Sequence, residues 1–301
     1  MVSKTKKQQL KQNKTRKMNC HPKINKMKIG VIPSCFTKKK LELLKHSFNK
    51  EYPENKIKSK SEKGIYKELS EKMPQCSQED CWLDVIKNET VRDKIKKELF
   101  APYQPDHWRN QSNSEKNTWL SNIDILNVLK QYEETEPEFY FIPPTSIDFD
   151  LQPYITSNQC VEDKLCKFNK NDILRQNKHK VGIIFNLDKH TGPGTHWVSM
   201  FIDIKQGILL YVDSVPNDDV PKEIQVFIDR VKKQIPKLEV TINKTIHQSK
   251  NTECGMYCLH VIITMLTGKG SYTNRIKDLT TKVIPDEEMM KYRDIYFNKK
   301  M

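Results

Sequence analysis

Apolar residues recur at helical spacing in the first third of the chain. The patterns at 41–48 and 65–73 are short, whereas that at 81–100 is longer and carries lysines on its opposite face. A further helix is predicted at 123–130, with Ser121 or Asn122 as its N-cap. The first part of the chain is therefore predicted to be helical.

Beyond this helix the pattern changes to one that is typical of strands. A tight turn with Gly207 at positive φ is predicted at residues 205–207, between the strands at 197–204 and 208–212. Helices are predicted at 220–231 and at 255–266, and the second is so apolar that it must be buried. Strands flanked by helices predict an α+β fold. Short runs rich in β-branched and aromatic residues predict strands at 140–142, 181–185, 197–204, 208–212 and 238–242.

The chain has a net charge of +14 over 301 residues, and this charge is concentrated at one end. Residues 1–60 contain 18 basic and 3 acidic side chains, whereas residues 61–301 contain 34 and 35. A neutral body argues against a basic nucleic-acid-binding domain as the main function. The basic end could instead tether the protein to nucleic acid, an anionic lipid or an import receptor, or only keep it soluble.

Changes in composition and a proline-containing segment divide the chain into three parts. Residues 1–28 are rich in Lys, Gln and Asn and are predicted to be a disordered basic tail. Two prolines and three aromatic residues at 100–108 indicate an irregular connection. A helical N-terminal arm domain is therefore predicted at 29–108 and a second domain at 109–301.

The sequence predicts neither a signal peptide nor a membrane span. The basic N-terminus is not followed by the apolar segment of a signal peptide, so we expect that the protein is not secreted. The longest apolar stretch, 257–266, is about half of the roughly 20 residues that span a bilayer, so no membrane span is expected. Eight irregularly spaced cysteines are few for a disulfide scaffold and favour a reducing compartment.

Candidate chemistry begins with a histidine at the start of a predicted strand. His196 follows a loop that contains two glycines, and the strand turns at Gly207 and returns to end at Asp213. In a hairpin closed at 205–207, residue 213 lies opposite 198–199 and therefore beside His196. A carboxylate there can fix the tautomer in which the other imidazole nitrogen acts as a base. A loop histidine and a turn-forming aspartate are the simpler alternative.

A cysteine at a predicted helix N-terminus completes this arrangement. Cys254 follows a polar loop, and unpaired N–H groups at a helix N-terminus favour a thiolate and can hold an oxyanion. Gly255 would let a substrate backbone approach closely. Gln248 could donate a side-chain N–H to the same oxyanion. A buried structural cysteine is the alternative interpretation of Cys254.

Two other functions compete with nucleophilic catalysis. Cys254, Cys258 and His260 contain the atoms of a zinc site, but no second Cys/His pair has matching spacing. A nucleic-acid-binding protein that acts through its basic tail is the other possibility. We expect no metal and no cofactor.

Together, these motifs resemble the ubiquitin-like-protein protease superfamily of cysteine peptidases, which includes SUMO-specific proteases and the adenovirus endopeptidase. The resemblance covers about residues 110–270 and is carried by His-Trp at 196–197, Asp213, Gln-x5-Cys-Gly at 248–255 and Cys-Gly-x2-Cys at 254–258. It implies a papain-like core, a central mixed sheet flanked by helices. It also implies His196 as base, Asp213 as its orienting residue, Gln248 as oxyanion donor and Cys254 as nucleophile. Glu253 stands where the cellular enzymes usually have Asp.

The same resemblance suggests a substrate. Trp119-Leu-Ser-Asn is similar to the motif that opens those catalytic domains, which implies that Trp119 and Trp197 line a narrow tunnel for a Gly-Gly sequence. Residues 119–149 look most similar to polyprotein-processing proteases of large cytoplasmic DNA viruses, of the African swine fever virus type. A protein with a Gly-Gly-X site is then the expected substrate, cut during virion maturation in the host cytoplasm (viral factory) and the virion. Processing of SUMO or another ubiquitin-like protein is the alternative, and the sequence predicts no oligomeric state.

Overall fold

The computed structural model describes residues 17–27, 32–105, 108, 119–153, 158–250 and 252–300. The chain divides into two compact units. Unit 1 comprises Met1–Ala101 together with Asn298–Met301, and unit 2 comprises Pro102–Phe297.

Unit 1 is helical, as the sequence predicts. Its short helices surround a core in which Leu41, Leu69 and Trp82 are fully buried. The predicted helix at 81–100 is two elements, because Asn88 starts a new helix by accepting a hydrogen bond from Val91 N at 3.0 Å. The elements are α1 (Pro22–Met27), α2 (Lys38–Glu51), α3 (Glu62–Lys72), a 3₁₀ helix (Glu79–Val85) and α4 (Glu89–Leu99).

Part of the predicted disordered tail is ordered. Helix α1 falls within it, and Met18 and Ile24 are buried. A bridge between Cys20 and Phe100 adds a tertiary contact that composition cannot reveal. The prediction of disorder at 1–28 is therefore wrong for residues 17–27, while residues 1–16 and 28 lie outside the described part of the chain.

Six of the eight cysteines are paired in disulfides, contrary to the expectation from their spacing. The Cα–Cα distances are 5.2 Å for Cys20–Cys35, 5.4 Å for Cys76–Cys81 and 6.3 Å for Cys160–Cys166, within the range that a disulfide bridges. Cys254 and Cys258 remain as free thiols, and both are buried. The pairing was missed because proximity in the fold, rather than a regular spacing, brings each pair together.

Unit 2 is built on a mixed sheet with strand order β1-β3-β4-β5-β6, and β2 pairs with β3. The central pairs β3·β4 and β4·β5 are antiparallel, whereas β1, β2 and β6 run parallel to their neighbours. All five predicted strands are present to within two residues at either end. The strands are β1 (Phe139–Phe141), β2 (Thr145–Ser146), β3 (Lys180–Asn186), β4 (Trp197–Asp203), β5 (Ile208–Val212) and β6 (Glu239–Ile242).

Helices cover both faces of this sheet, and the predicted α+β class is confirmed. One face packs against α9, whose Met256, Leu259 and Ile262 are fully buried. The other packs against α8 through Phe227 and Ile228. The helices of unit 2 are α5 (Asn122–Thr135), α6 (Asp163–Cys166), α7 (Lys170–Arg175), α8 (Lys222–Gln234), α9 (Cys254–Thr267), α10 (Tyr272–Thr281) and α11 (Asp286–Tyr296).

The hairpin of β4 and β5 has the register that the sequence predicts. Ser199 pairs with Val212 and Asp203 with Ile208, and Gly207 has a φ of 65° in the turn. A residue with a Cβ would be strained at this φ. Asp213 thus leaves β5 next to the start of β4, the position of His196. In the part of the chain that the structure describes, no helix is both long and apolar enough to cross a membrane.

Candidate active site

His196 and Asp213 meet where β4 begins and β5 ends, at one end of the two central strands. The Nε2 atom of His196 donates a hydrogen bond to Oδ1 of Asp213 at 2.6 Å. The carboxylate is almost fully buried, with 5% of its side chain exposed, whereas 23% of the His196 side chain is exposed. One nitrogen of the imidazole is therefore fixed from inside the protein, while the ring remains accessible.

Asp213 is itself held by Asn243, which sequence analysis missed. The Asp213 N–H donates to Oδ1 of Asn243, and Nδ2 of Asn243 donates back to the Asp213 carbonyl, each at 2.8 Å. Asn243 follows β6, and β6 runs parallel to β5 with Ile242 opposite Tyr211. Two polar residues at the ends of neighbouring parallel strands are a signal that could have found this pair.

Cys254 is the first residue of α9 and lies against His196. Cys254 is only 2% exposed, and its side chain is close enough to the His196 ring to help raise the pKa of the imidazole. Because Nε2 of His196 is bound to Asp213, Nδ1 is the nitrogen left for the thiol. The N–H groups of the first helical turn have no partner within the helix, so they can stabilise negative charge on the sulfur or on a bound oxygen.

The environment of His196 strongly favours the imidazolium form. Burial alone would lower the pKa of His196, but the hydrogen bonds to Asp213 and Cys254 and the charges of both groups outweigh it. The net effect raises the pKa of His196 from 6.5 to about 9. A histidine that is protonated at neutral pH can donate its proton to a leaving group.

Gln248 is brought to the same site through Ser214. The backbone N–H groups of His247 and Gln248 both donate to the Ser214 carbonyl, at 2.9 and 3.0 Å, and Ser214 Oγ donates to Oε1 of Gln248 at 2.8 Å. Its Nε2 donates to the Lys250 carbonyl. An amide nitrogen carries two hydrogens, so one remains for an oxyanion.

The two predicted tunnel residues are connected through Leu120. Nε1 of Trp197 donates to the Leu120 carbonyl at 2.9 Å, so Trp119, the preceding residue, lies near the buried Trp197. Trp119 is 37% exposed and therefore available to a substrate.

Gly255 has a packing role that the sequence did not predict. A Cβ built on Gly255 would lie 2.9 Å from the Leu120 Cβ, so the absence of a side chain lets Leu120 pack against α9. The prediction that this glycine also lets a substrate backbone approach stays a prediction. Through Leu120, Gly255 supports the segment that carries Trp119.

The zinc alternative is not supported by this geometry. Burial raises the pKa of the Cys258 thiol well above its ordinary value and lowers that of His260 to about 4. The His260 ring packs on Tyr292 with 4.5 Å between ring centroids. Among the described residues, no three His, Cys, Asp or Glu side chains are grouped as metal ligands.

A thiol at a helix N-terminus, beside an imidazole that a buried carboxylate orients, is the arrangement of a cysteine protease. Models of known protein families give no match to the chain. A thiol protease of Acanthamoeba polyphaga mimivirus is 29% identical over 194 residues, which are 63% of this chain and 60% of the relative. A protein of African swine fever virus, named a cysteine protease in one isolate and a SUMO-1 cysteine protease in another, is 30% identical over 191 residues. These residues are 59% of this chain and 67% of that relative.

The solved structures agree on the fold. A crystal structure of the African swine fever virus protease matches with a TM-score of 0.60 and 22% identity, over 97% of this chain and 99% of that one. The chain belongs to the family of SUMO-protease-like cysteine proteases that includes these viral proteins. The resemblance read from the sequence is thereby confirmed at the level of the family.

Proposed function

We propose that the protein is a cysteine endopeptidase that cuts after Gly-Gly-type motifs in viral structural polyproteins during virion maturation. The observation that carries the proposal is the contact of Cys254 at the start of α9 with His196, which Asp213 holds at 2.6 Å. The viral origin of the related thiol proteases supports this setting. The proposed place of action is the viral factory in the host cytoplasm and the virion.

The reaction proceeds through a thioester. The Cys254 thiolate attacks the carbonyl carbon of the scissile peptide, and the negative oxygen that forms accepts hydrogen bonds from the Cys254 N–H and the free amide N–H of Gln248. His196 then donates the proton that it took from the thiol to the leaving amine. Water, deprotonated by His196, attacks the thioester and releases the acid and the thiol.

The preference for glycine is attributed to the two tryptophans. Trp197 is fixed by its bond to Leu120, while Trp119 lies half-exposed at the same place. A channel between two indoles admits a chain without side chains more readily than one with them. Substituting the first glycine of a Gly-Gly-X peptide by Val should abolish cleavage, and equal rates for the two peptides would contradict a narrow channel.

Processing of SUMO or another ubiquitin-like protein is the second candidate. It is favoured by the name SUMO-1 cysteine protease given to a relative. Both substrate classes end in Gly-Gly, so the active site alone does not separate them. The basic N-terminal residues would give the protein a contact with nucleic acid or another anionic surface in either case.

The test is to incubate the purified protein with Gly-Gly-X peptides and with SUMO and ubiquitin precursors, followed by intact-mass analysis. Cys254→Ser is the matched control, since it changes one atom of the proposed nucleophile. Cleavage that vanishes in Cys254→Ser establishes the peptidase, and the preferred substrate separates the two candidates. Cleavage of no substrate, or cleavage that persists in Cys254→Ser, would contradict the proposal.

A further inference from the structure

The last helix of unit 2, α11, contacts both sides of the proposed oxyanion site. We propose that Asp286 and Arg293 of α11 are positioning residues that hold the Gln248 loop and the start of α9 in the geometry that stabilises the oxyanion. This inference rests on the proposed function.

Asp286 is bonded to the loop that carries Gln248. Its Oδ2 accepts hydrogen bonds from Ser249 N at 3.0 Å, Ser249 Oγ at 2.6 Å and Lys250 N at 2.8 Å. The residue is only 1% exposed. Three donors on one buried carboxylate oxygen leave the backbone just after Gln248 little freedom.

Asp286 also joins this loop to α9. The Tyr257 hydroxyl lies 3.1 Å from the other oxygen, Oδ1, and 2.8 Å from the Ile284 carbonyl, so these two acceptors share its one hydrogen. Tyr257 lies one turn after Cys254. The same hydroxyl lies 3.3 Å from the His247 carbonyl, next to Gln248. The carboxylate thus bonds to the loop of one oxyanion donor and to the helix of the other.

Arg293 holds the residue before the nucleophile. Its Nε donates to Oε2 of Glu253 at 2.9 Å, and its Nη2 donates to Oε1 of Glu253 and to the Thr252 carbonyl, each at 3.1 Å. Glu253 is fully buried. The guanidinium also lies 4.4 Å from the centre of the Trp108 ring. This two-point pairing fixes the backbone that presents the Cys254 N–H.

The spacing of the two residues explains how one helix makes both contacts. Seven residues on a helix span almost two full turns, so positions 286 and 293 lie on the same face about 10 Å apart. One rigid helix therefore sets the separation between the Gln248 loop and the start of α9. His196 and Asp213 are held instead by each other and by Asn243, which follows β6.

The test separates oxyanion stabilisation from thiol activation. It compares wild type, Asp286→Ala, Asp286→Asn and a matched control, Glu287→Gln. The control removes a neighbouring charge that pairs with the exposed Lys250 ammonium at 3.2 Å. The three readouts are kcat and KM on a Gly-Gly-X peptide, the affinity of a Gly-Gly peptide aldehyde, and the rate of Cys254 alkylation by iodoacetamide. The aldehyde forms an oxyanion on the enzyme, whereas alkylation at a saturated carbon does not.

Asp286→Ala should lower kcat by about 10- to 100-fold, which is less than the effect of removing a whole oxyanion donor. The affinity of the enzyme for the aldehyde should fall by a similar factor. The rate of Cys254 alkylation and the KM should stay within about threefold of their wild-type values. Asp286→Asn should recover most of kcat because its amide oxygen can take the three donors, and Glu287→Gln should match wild type. Arg293→Lys keeps the positive charge but loses the bidentate guanidinium, and it should lower kcat less than Asp286→Ala does. This variant also tests the inference if Asp286→Ala does not fold.

Unchanged kcat in Asp286→Ala and Arg293→Lys would overturn the inference but leave the proposed peptidase function intact. A fall of alkylation in parallel with kcat would also overturn it, because the residues would then act on Cys254 or on the fold as a whole. If wild type cleaves no Gly-Gly substrate, the proposed function fails, and the inference falls with it.

Discussion

Two histidine–aspartate pairs lie at opposite ends of the same hairpin sheet, and only one of them has the geometry of a catalytic pair. At one end, His196 precedes β4 and binds Asp213 at 2.6 Å. At the other, His179 precedes β3 and its Nδ1 binds Asp203, the last residue of β4, at 3.0 Å. Both carboxylates are buried.

The second ring nitrogen distinguishes the two pairs. In His179 it lies 3.2 Å from Oε1 of Glu138, so carboxylates occupy both nitrogens. In His196 it is left for the Cys254 thiol. The His179 side chain is 8% exposed, compared with 23% for His196. A buried carboxylate partner is common to both pairs, so it is the accessible second nitrogen beside a thiol that makes His196 the candidate base.

Removing the Cys254 thiol is the strongest test of the difference between the two histidine–aspartate pairs. Cys254→Ala should lower kcat on a Gly-Gly-X peptide by about 10⁴-fold or more, because no nucleophile remains. Cys258→Ala is the matched control: it removes the other free thiol, one turn along α9, and should leave kcat within about threefold. Comparable losses in both variants would mean that the two cysteines act through the fold, not through chemistry.

Removing the charge of Asp213 should have the next largest effect. Asp213→Asn keeps the shape but removes the charge that helps to raise the pKa of His196 to about 9. We expect kcat/KM to fall by about 10- to 100-fold. Wild-type kcat/KM should decline as pH rises through about 9, where the imidazolium loses its proton, and in Asp213→Asn this decline should begin at lower pH. A pH profile identical to that of wild type would contradict the role of Asp213.

Trp119→Ala should have a smaller effect that is confined to substrate recognition. The exposed indole contributes binding area rather than chemistry, so kcat/KM should fall by about tenfold. The rate of Cys254 alkylation by iodoacetamide should not change. The preference for Gly over Val in the substrate should weaken at the same time, and a variant that remains as selective as wild type would place the channel elsewhere.

The smallest effect on activity is expected from the second pair. Asp203 accepts hydrogen bonds from His179, the Tyr272 hydroxyl at 2.8 Å and two backbone N–H groups of the turn. Asp203→Asn turns one acceptor into a donor and should lower the free energy of unfolding by about 1.5–3 kcal/mol. Thermal unfolding should show the loss, while kcat below the transition stays at the wild-type value. A fall in kcat without a fall in Tm would give this pair a part in catalysis.

The strand-borne half of the site was predictable from the sequence, and the reason is local. The two β-branched and aromatic runs and the glycine at 207 between them predict a hairpin whose register places Asp213 beside His196. Gln248 and Cys254 were found because they flank one loop. Asn243 could have been found in the same way, since it ends the strand next to β5.

The supports of the other half could not be found in this way. Asp286 lies 37 residues from Ser249, and Arg293 lies 40 residues from Glu253. In the sequence they are two charged positions of a short amphipathic helix, which is typical of a solvated surface. Only the packing of α11 against α9 turns them inward. The disulfide Cys20–Cys35 and the ordered segment around α1 escaped prediction for the same reason.

The proposed function requires that Cys254 is a nucleophile, that His196 activates it and that a Gly-Gly chain reaches it. This requirement is tested by labelling with a Gly-Gly peptide that carries an α,β-unsaturated methyl ester in place of the scissile bond, to whose double bond a thiol adds to form a stable thioether. Intact-mass analysis and peptide mapping then locate the adduct. We predict one adduct per chain, located on Cys254 and absent from Cys258, formed at least about 100-fold more slowly in His196→Ala. An adduct elsewhere, or equal labelling rates in wild type and His196→Ala, would contradict the account.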